Sequence, residues 1–435
     1  MKYFGTDGIR GKAYDFITEE LSFSLGKSMF HFHDKAKRII IARDTRESGL
    51  MVVDNIKKGV LMAGLDICDL GVYATPVLAF IANITDSIGI MVTASHNPYY
   101  DNGIKLFISG SKSLPEDEAI IEDVIDKGIN LEGVKLGKEV ALPGIVKEYF
   151  RLYDSFRQKM NLRIGLDLAN GATISSALKV LPPLVKECLV IGNSPDGFNI
   201  NKDCGSTHLA QIKALVLNER LDLGFAFDGD GDRLLVIDDE GDVLDGDLLI
   251  YLTAKYLSAT NQLTNNLVVL SKMSNLGIIK ALNDLNIEVI QTEVGDKYIF
   301  EALNEKNAVL GGENSGHVIN RTILETGDGV LNAWFLLKIL DYYQTKFSEI
   351  KKEVKYYPDK LVSIKDIDKE IINDREIVAL VEKYRTLLGK DGKVLVRPSG
   401  TEPLIRVSVS AKTNELVDEI IDEIVDKIKS KQKGE

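Results

Sequence analysis

The chain is short of cysteine. It has three, Cys68, Cys188 and Cys204, an odd number, far apart and with no CxxC pair. That excludes a disulfide framework and a cysteine zinc site, and fits reduced thiols in a cytoplasmic protein. No apolar run reaches the length of a membrane span, and the opening Met-Lys-Tyr-Phe-Gly-Thr-Asp-Gly has no apolar signal core. Positive charge is also scarce: 53 Lys and Arg against 65 Asp and Glu give a net charge of −12. Neither a nucleic acid nor a membrane is the expected partner, since both ask for a basic footprint. Missing motifs narrow the field further. There is no GxxxxGK[ST] phosphate loop and no GxSxG nucleophile elbow. What remains is an ordinary globular composition, 45% hydrophobic and 27% charged, in 435 residues, too many for one core.

Short β-branched runs recur, each followed by a polar or glycine loop and then a helical pattern. Arg38–Ala42 leads into Arg43–Ser48, Arg163–Leu168 into Ala169–Thr173, and Leu267–Leu270 into Ser271–Asn275. This rhythm predicts three related α/β domains with mixed, largely parallel sheets. The end of the chain differs. Val394–Val396 and Ile405–Ser410 read as strands, before a helix whose Leu416, Val417, Ile420, Ile421, Ile424, Val425 and Ile428 share one face. A smaller α+β C-terminal domain is expected there. The boundaries expected are 1–147, 148–243, 244–354 and 355–435.

The most informative stretch is Asp228-Gly229-Asp230-Gly231-Asp232-Arg233. Three carboxylates at alternate positions repel one another unless a cation lies among them. Oxygen-only ligation suits Mg²⁺, and the glycines let the chain turn so that the carboxylates converge. Arg233 sets a guanidinium where a phosphate would lie. Apolar runs on both sides, Leu221–Phe227 and Leu234–Ile237, place the loop at the mouth of a sheet and argue against an acidic surface turn. An EF-hand is excluded because its sixth position is Arg233, its twelfth is Asp239, and its flanks are strands.

Five further segments carry chemistry. Thr93–Pro98 (TASHNP) follows the apolar run Ile88–Val92, and Pro98 keeps Asn97 out of a helix, so Ser95 is exposed at a strand end. A serine carrying a phosphoryl group beside the metal would complete the ion's shell; as a bare residue it would be an ordinary loop serine. Lys105 in Asn102–Lys105 would serve as a proton shuttle or phosphate contact if neighbouring charge lowers its pKa. Gly5–Gly11 is glycine-rich with Arg10 near its end, as in an anion-binding loop. Gly311–His317 sets Glu313, Asn314, Ser315 and His317 between glycines, a set suited to sugar hydroxyls. Arg397, Ser399, Gly400, Thr401 and Arg406 combine guanidinium, hydroxyl and backbone donors in a cradle for a phosphate that does not react.

Together, and in this order, these motifs resemble the α-D-phosphohexomutases. The resemblance runs over nearly all of the chain through Phe4–Gly11 (FGTDGIRG), TASHNP, Asn199–His208 (NINKDCGSTH), Asp228–Arg233, Gly311–His317 and Arg397–Pro403 (RPSGTEP). FGTDGIRG and CGSTH favour the branch acting on glucosamine phosphates. The resemblance implies four domains around a central cleft. It implies a phosphoserine at Ser95, and one Mg²⁺ per chain held by Asp228, Asp230, Asp232 and the Ser95 phosphate. Arg10, His96, Lys105 and Arg233 would surround the transferring group, Glu313 and Ser315 would hold sugar hydroxyls with His317 nearby, and Arg397, Ser399, Gly400, Thr401 and Arg406 the distal phosphate. The implied reaction interconverts hexosamine 6- and 1-phosphates through a 1,6-bisphosphate, which also acts as activator, in the supply of UDP-N-acetylglucosamine for cell-wall synthesis. The partner is a small sugar phosphate, and a homodimer is left open. One departure stands out: the glucosamine branch usually has glutamine where this chain has Asn314. The alternatives are a glucose or mannose phosphate mutase of the same family, a phosphatase, and a non-catalytic sugar-phosphate sensor.

Overall fold

The computed structural model describes residues 2–5, 7–108, 110–398 and 404–432. It divides into two compact units: residues 1–273 with 286–351, and 274–285 with 352–435.

The first unit holds three sheets built to one plan. In the first, Arg38–Arg43 runs parallel to both Asp66–Val72 and Ile88–Val92, and Asp101–Ile108 returns antiparallel to Ile88–Val92. In the second, Arg163–Asp167 is parallel to Glu187–Ile191 and Leu223–Phe227, and Leu234–Asp238 returns antiparallel. In the third, Leu267–Ser271 is parallel to Glu288–Thr292 and Leu310–Gly312, and Val318–Asn320 returns. Each sheet is therefore mixed: three parallel strands, then an antiparallel return. The first is extended by Gly8–Lys12, antiparallel to Asp101–Ile108. Three parallel strands need crossover helices, which explains the strand–loop–helix rhythm. The return explains where function lies. The turn before it projects from the carboxyl end of a fully buried strand, Ile88–Val92 or Leu223–Phe227 in the first two sheets.

Helix starts are fixed by local acceptors. Thr18, Asp245 and Asp328 accept from the backbone N–H of Leu21, Leu248 and Leu331 at 3.0–3.1 Å. The helix Gly329–Tyr343 that Asp328 caps is buried through most of its length and carries Trp334.

The second unit contains a three-stranded antiparallel sheet with Leu404–Ser410 between Asp359–Lys365 and Lys393–Pro398. The helix Asn414–Gln432 buries Val417, Ile420, Ile421, Ile424, Val425 and Ile428 in its core, along the face read from the sequence, while Leu416 lies at the margin.

Candidate active site

The Ser95 loop begins where the buried strand Ile88–Val92 ends. Thr93 donates its hydroxyl to Asp44 Oδ2 at 2.6 Å and accepts from the Ser95 N–H at 2.8 Å. Ser95 takes a left-handed backbone, φ +53°, uncommon for a residue with a Cβ. It is buried, and its Oγ donates to Asp228 Oδ2 at 2.6 Å. His96 Nδ1 is 3.5 Å from the same Oγ.

Asp228 opens the turn between the antiparallel strands Leu223–Phe227 and Leu234–Asp238, and its Oδ1 accepts from the N–H groups of Gly231 and Arg233. Gly231 has φ +77°, and a Cβ there would lie 2.3 Å from Thr173 Cγ2, so the position admits only glycine without rearrangement. The turn brings carboxylate oxygens of Asp228, Asp230 and Asp232 within 4.8 Å of one another, all three residues buried. Asp230 Oδ1 and Asp232 Oδ1 are buried without a hydrogen-bond partner. Converging carboxylates with two such oxygens fit a hard divalent cation.

Lys105 reaches this cluster from the return strand Asp101–Ile108. Its Nζ lies 2.9 Å from Asp230 Oδ2, 3.0 Å from Asp232 Oδ2 and 3.1 Å from Asp7 Oδ2. Burial alone would lower its pKa, but the three carboxylates outweigh it and hold it well above the usual value. The neighbouring charge is negative and raises the Lys105 pKa, the opposite of the lowering that a proton shuttle would need. Burial and the charges of Asp232 and Asp230 push Asp228 well up. Burial pushes Asp232 the same way, but Lys105, His317 and Arg233 prevail and hold it well below the carboxylate range. His96 drops to about 4 through burial, Arg233 and Arg10, so it is neutral at pH 7. His317, 3.8 Å from Asp232 Oδ2, is raised because that carboxylate outweighs burial.

Arg10 lies on Gly8–Lys12 opposite Gly103, paired with Asp7, and the backbone of Arg233 forms an isolated antiparallel bridge with that of His317. The Nε of each is buried without a partner. Two half-buried guanidiniums, each with a buried unused Nε donor, beside a carboxylate cluster suit an anion with several oxygens. The turn Glu313–His317 closes through Glu313 N to His317 O at 2.9 Å, and Gly316 O accepts from Leu234 N at 3.1 Å, which docks it on the metal-loop strand. Glu313 accepts from Gly295 N, Ser315 Oγ is buried with no partner, and Asn314 is exposed. In the second unit, Arg397 and Arg406 stand directly opposite each other across an antiparallel pair. Ser399, Gly400 and Thr401 lie outside the described residues.

Several residues escaped the sequence reading. Thr75 donates to Asp230 Oδ2 at 2.6 Å, and Lys112 bridges Asp7 and Asp296. The buried pair Asp44–Arg46 lies under the Ser95 loop. The signal available for the last was Arg43–Ser48, a polar loop directly after a strand.

Four family models match in order: phosphoglucomutase/phosphomannomutase alpha/beta/alpha domain I over residues 1–132, domain II over 146–241, domain III over 245–357 and the C-terminal domain over 357–427. The phosphoglucosamine mutase of Shouchella clausii is 40% identical over 430 residues, covering 95% of this chain and 96% of that protein. That of Leuconostoc mesenteroides is 41% identical, covering 96% and 95%. Among solved structures, a phosphoglucomutase/phosphomannomutase family protein from Burkholderia thailandensis has the same fold, with a TM-score of 0.82 at 22% identity over 98% and 97% of the two chains. The N-acetylphosphoglucosamine mutase of Aspergillus fumigatus, solved with GlcNAc-6P and magnesium, matches with a TM-score of 0.69 at 16% identity over 98% and 95%. With all four domains matched in sequence and the three mixed sheets and antiparallel C-terminal sheet in place, the chain belongs to the phosphoglucomutase/phosphomannomutase family, the α-D-phosphohexomutases.

Proposed function

We propose that the chain interconverts glucosamine 6-phosphate and glucosamine 1-phosphate by passing a phosphoryl group through Ser95. One observation carries the reading: a buried serine hydroxyl, held in a left-handed turn, meets Asp228 at 2.6 Å beside two further aspartates and Lys105. Phosphorylated Ser95 gives its phosphoryl group to the free hydroxyl of the hexosamine phosphate. The P–O bond to Oγ breaks as the new one forms, and the hydroxyl proton in net replaces the phosphoryl group on Oγ. The 1,6-bisphosphate turns round and returns its other phosphoryl group to Ser95; the same bisphosphate charges a bare enzyme. Mg²⁺ at Asp228, Asp230 and Asp232 would supply Lewis-acid neutralisation of the transferring group. Arg10, Arg233 and Lys105 supply fixed positive charge around it, the main catalytic lever in phosphoryl transfer. His96, held neutral by burial and the two arginines, offers a ring N–H without adding charge. We assign sugar hydroxyls to Glu313 and Ser315, with His317 fixing Asp232, and the distal phosphate to the cross-strand arginines Arg397 and Arg406.

A coupled mutase assay on glucosamine 6-, glucose 6- and mannose 6-phosphate tests the reading. The expected order puts glucosamine 6-phosphate first by kcat/KM. Asn314 is exposed, so a water can bridge where the longer glutamine would reach, and Asn314→Gln should keep that order. Equal or better use of glucose 6-phosphate would reject the glucosamine assignment and leave the phosphohexomutase assignment standing. Release of free phosphate without isomerised sugar would indicate a phosphatase.

A further inference from the structure

The segment Asn199–His208 belongs to the family resemblance, and its CGSTH end marked the branch, but none of the roles above uses it. Its geometry does. Asn201 sits in a left-handed turn, φ +58°, which asparagine tolerates better than most residues. Its backbone N–H donates to Ala169 O at 2.9 Å, just after the strand Arg163–Asp167. Further along, Gly205 N donates to Asp167 Oδ2 at 2.7 Å and Ser206 N to Phe227 O at 2.8 Å. The segment is thus tied to the sheet that carries the metal loop.

From that anchor the buried Asn201 side chain reaches into the first sheet's loop. Its Nδ2 donates to Ser95 O at 2.8 Å and to Asn97 O at 3.0 Å, which uses both of its hydrogens. The same two carbonyls are met from their own domain by Arg46, whose Nη2 lies 3.3 Å from Ser95 O and 3.4 Å from Asn97 O. Arg46 is itself held by Asp44, through Nε at 2.8 Å. Gly229 closes the arrangement: a Cβ there would lie 2.6 Å from Ser95 O and 2.8 Å from Asn201 Nδ2. Nucleophile loop, metal loop and Asn201 are therefore in direct contact.

We infer that Asn201 is a positioning residue for the reaction: its amide ties the Ser95 and Asn97 carbonyls to the sheet bearing Asp228 and so sets Ser95 Oγ against the metal carboxylates. Resting on the phosphoserine mechanism above, it adds a residue that touches neither sugar nor phosphate. A reacting oxygen displaced by about 1 Å loses on the order of 10²-fold in rate even when the substrate is held as before. The amide's direction matters more than its size, because an acid of the same shape would turn an acceptor toward two carbonyls.

The test compares Asn201→Ala and Asn201→Asp with the native chain. It measures steady-state kcat and KM on glucosamine 6-phosphate, and single-turnover transfer from glucosamine 1,6-bisphosphate to Ser95. The expected result is a kcat and a transfer rate lower by about 10- to 100-fold in Asn201→Ala and lower still in Asn201→Asp, with KM within about threefold. If Asn201→Asp does not fold, Asn201→Ala alone decides. Variants that keep kcat within twofold, or lose kcat only in proportion to the folded fraction, overturn the proposal while leaving the phosphoserine mechanism intact. A native chain that never carries phosphate on Ser95 overturns both, and that is visible before any variant is made.

Discussion

Gly231→Ala is the sharpest structural perturbation of the metal loop. Alanine would have to adopt φ +77°, which costs a residue with a Cβ about 1–2 kcal/mol. Its methyl group would also lie 2.3 Å from Thr173 Cγ2 and 3.1 Å from Ala74 Cβ, and overpacking of that kind costs about 1–3 kcal/mol. The sum is about 2–5 kcal/mol, delivered to a turn whose N–H holds Asp228 and whose carbonyl accepts from Gly329. The two parts can be separated. Thr173 Cβ is 3.7 Å from the added carbon, so Thr173→Ala removes the worst clash and leaves the backbone strain. The Thr173 hydroxyl is buried without a partner, so removing it alone should cost little. Urea denaturation followed by the fluorescence of Trp334, the sole tryptophan and buried in the same unit, reports the result. The double variant should regain about 1–3 kcal/mol of the loss in Gly231→Ala. A double variant no more stable than the single would refute the packing argument, and an undisturbed Gly231→Ala would refute both parts.

Asp230→Asn keeps the shape of the turn but removes one of the three carboxylates proposed to hold Mg²⁺. Mg²⁺ binding by calorimetry should weaken and turnover fall by about two orders of magnitude. Full activity in EDTA would contradict the metal site. A pH effect on stability follows from Asp328, fully buried and accepting from Tyr149 Oη at 2.5 Å, with Tyr153 Oη hydrogen-bonded to Tyr149 Oη at 2.6 Å in the same network. Burial moves its pKa from 3.8 to about 6. The folded chain then holds a proton that the unfolded chain has lost between about pH 4 and 6, so this group's contribution to stability falls as pH rises through that window. The full effect is at most about 3 kcal/mol. Asp328→Asn should flatten the slope of unfolding free energy against pH there, and an unchanged slope would contradict the assignment.

The loops that carry chemistry were legible because each is a contiguous run whose residue types already imply a task. Asp228–Arg233 declares a cation by alternating carboxylates, and Ser95 declares itself by its place after Ile88–Val92. The parallel strands were legible for a similar reason: a strand, a polar loop and a helix repeat in sequence. The antiparallel returns were harder to see. Val318–Asn320 is only three residues long, and Asp101–Ile108 carries Asn102 and Lys105 among its apolar residues. Hidden altogether were side chains that act on distant backbone. Asn201 meets Ser95 O across 106 positions, and a carbonyl contact leaves no mark in residue identity at the other end. Lys105 shows the same limit for charge. Its cation is legible, but which charges surround it depends on Asp7 from one distant stretch and Asp230 and Asp232 from another.

The account's central claim is that Ser95 carries the phosphoryl group. Incubating the purified chain with glucosamine 1,6-bisphosphate, then intact mass and peptide mapping, tests it most directly. One phosphoryl group should appear, mapped to Ser95, and leave when glucosamine 6-phosphate is added, while Ser95→Ala should fold, take up none and fail to turn over. A native chain that isomerises the sugar without ever showing phosphate on Ser95, or a Ser95→Ala chain with full activity, would contradict it.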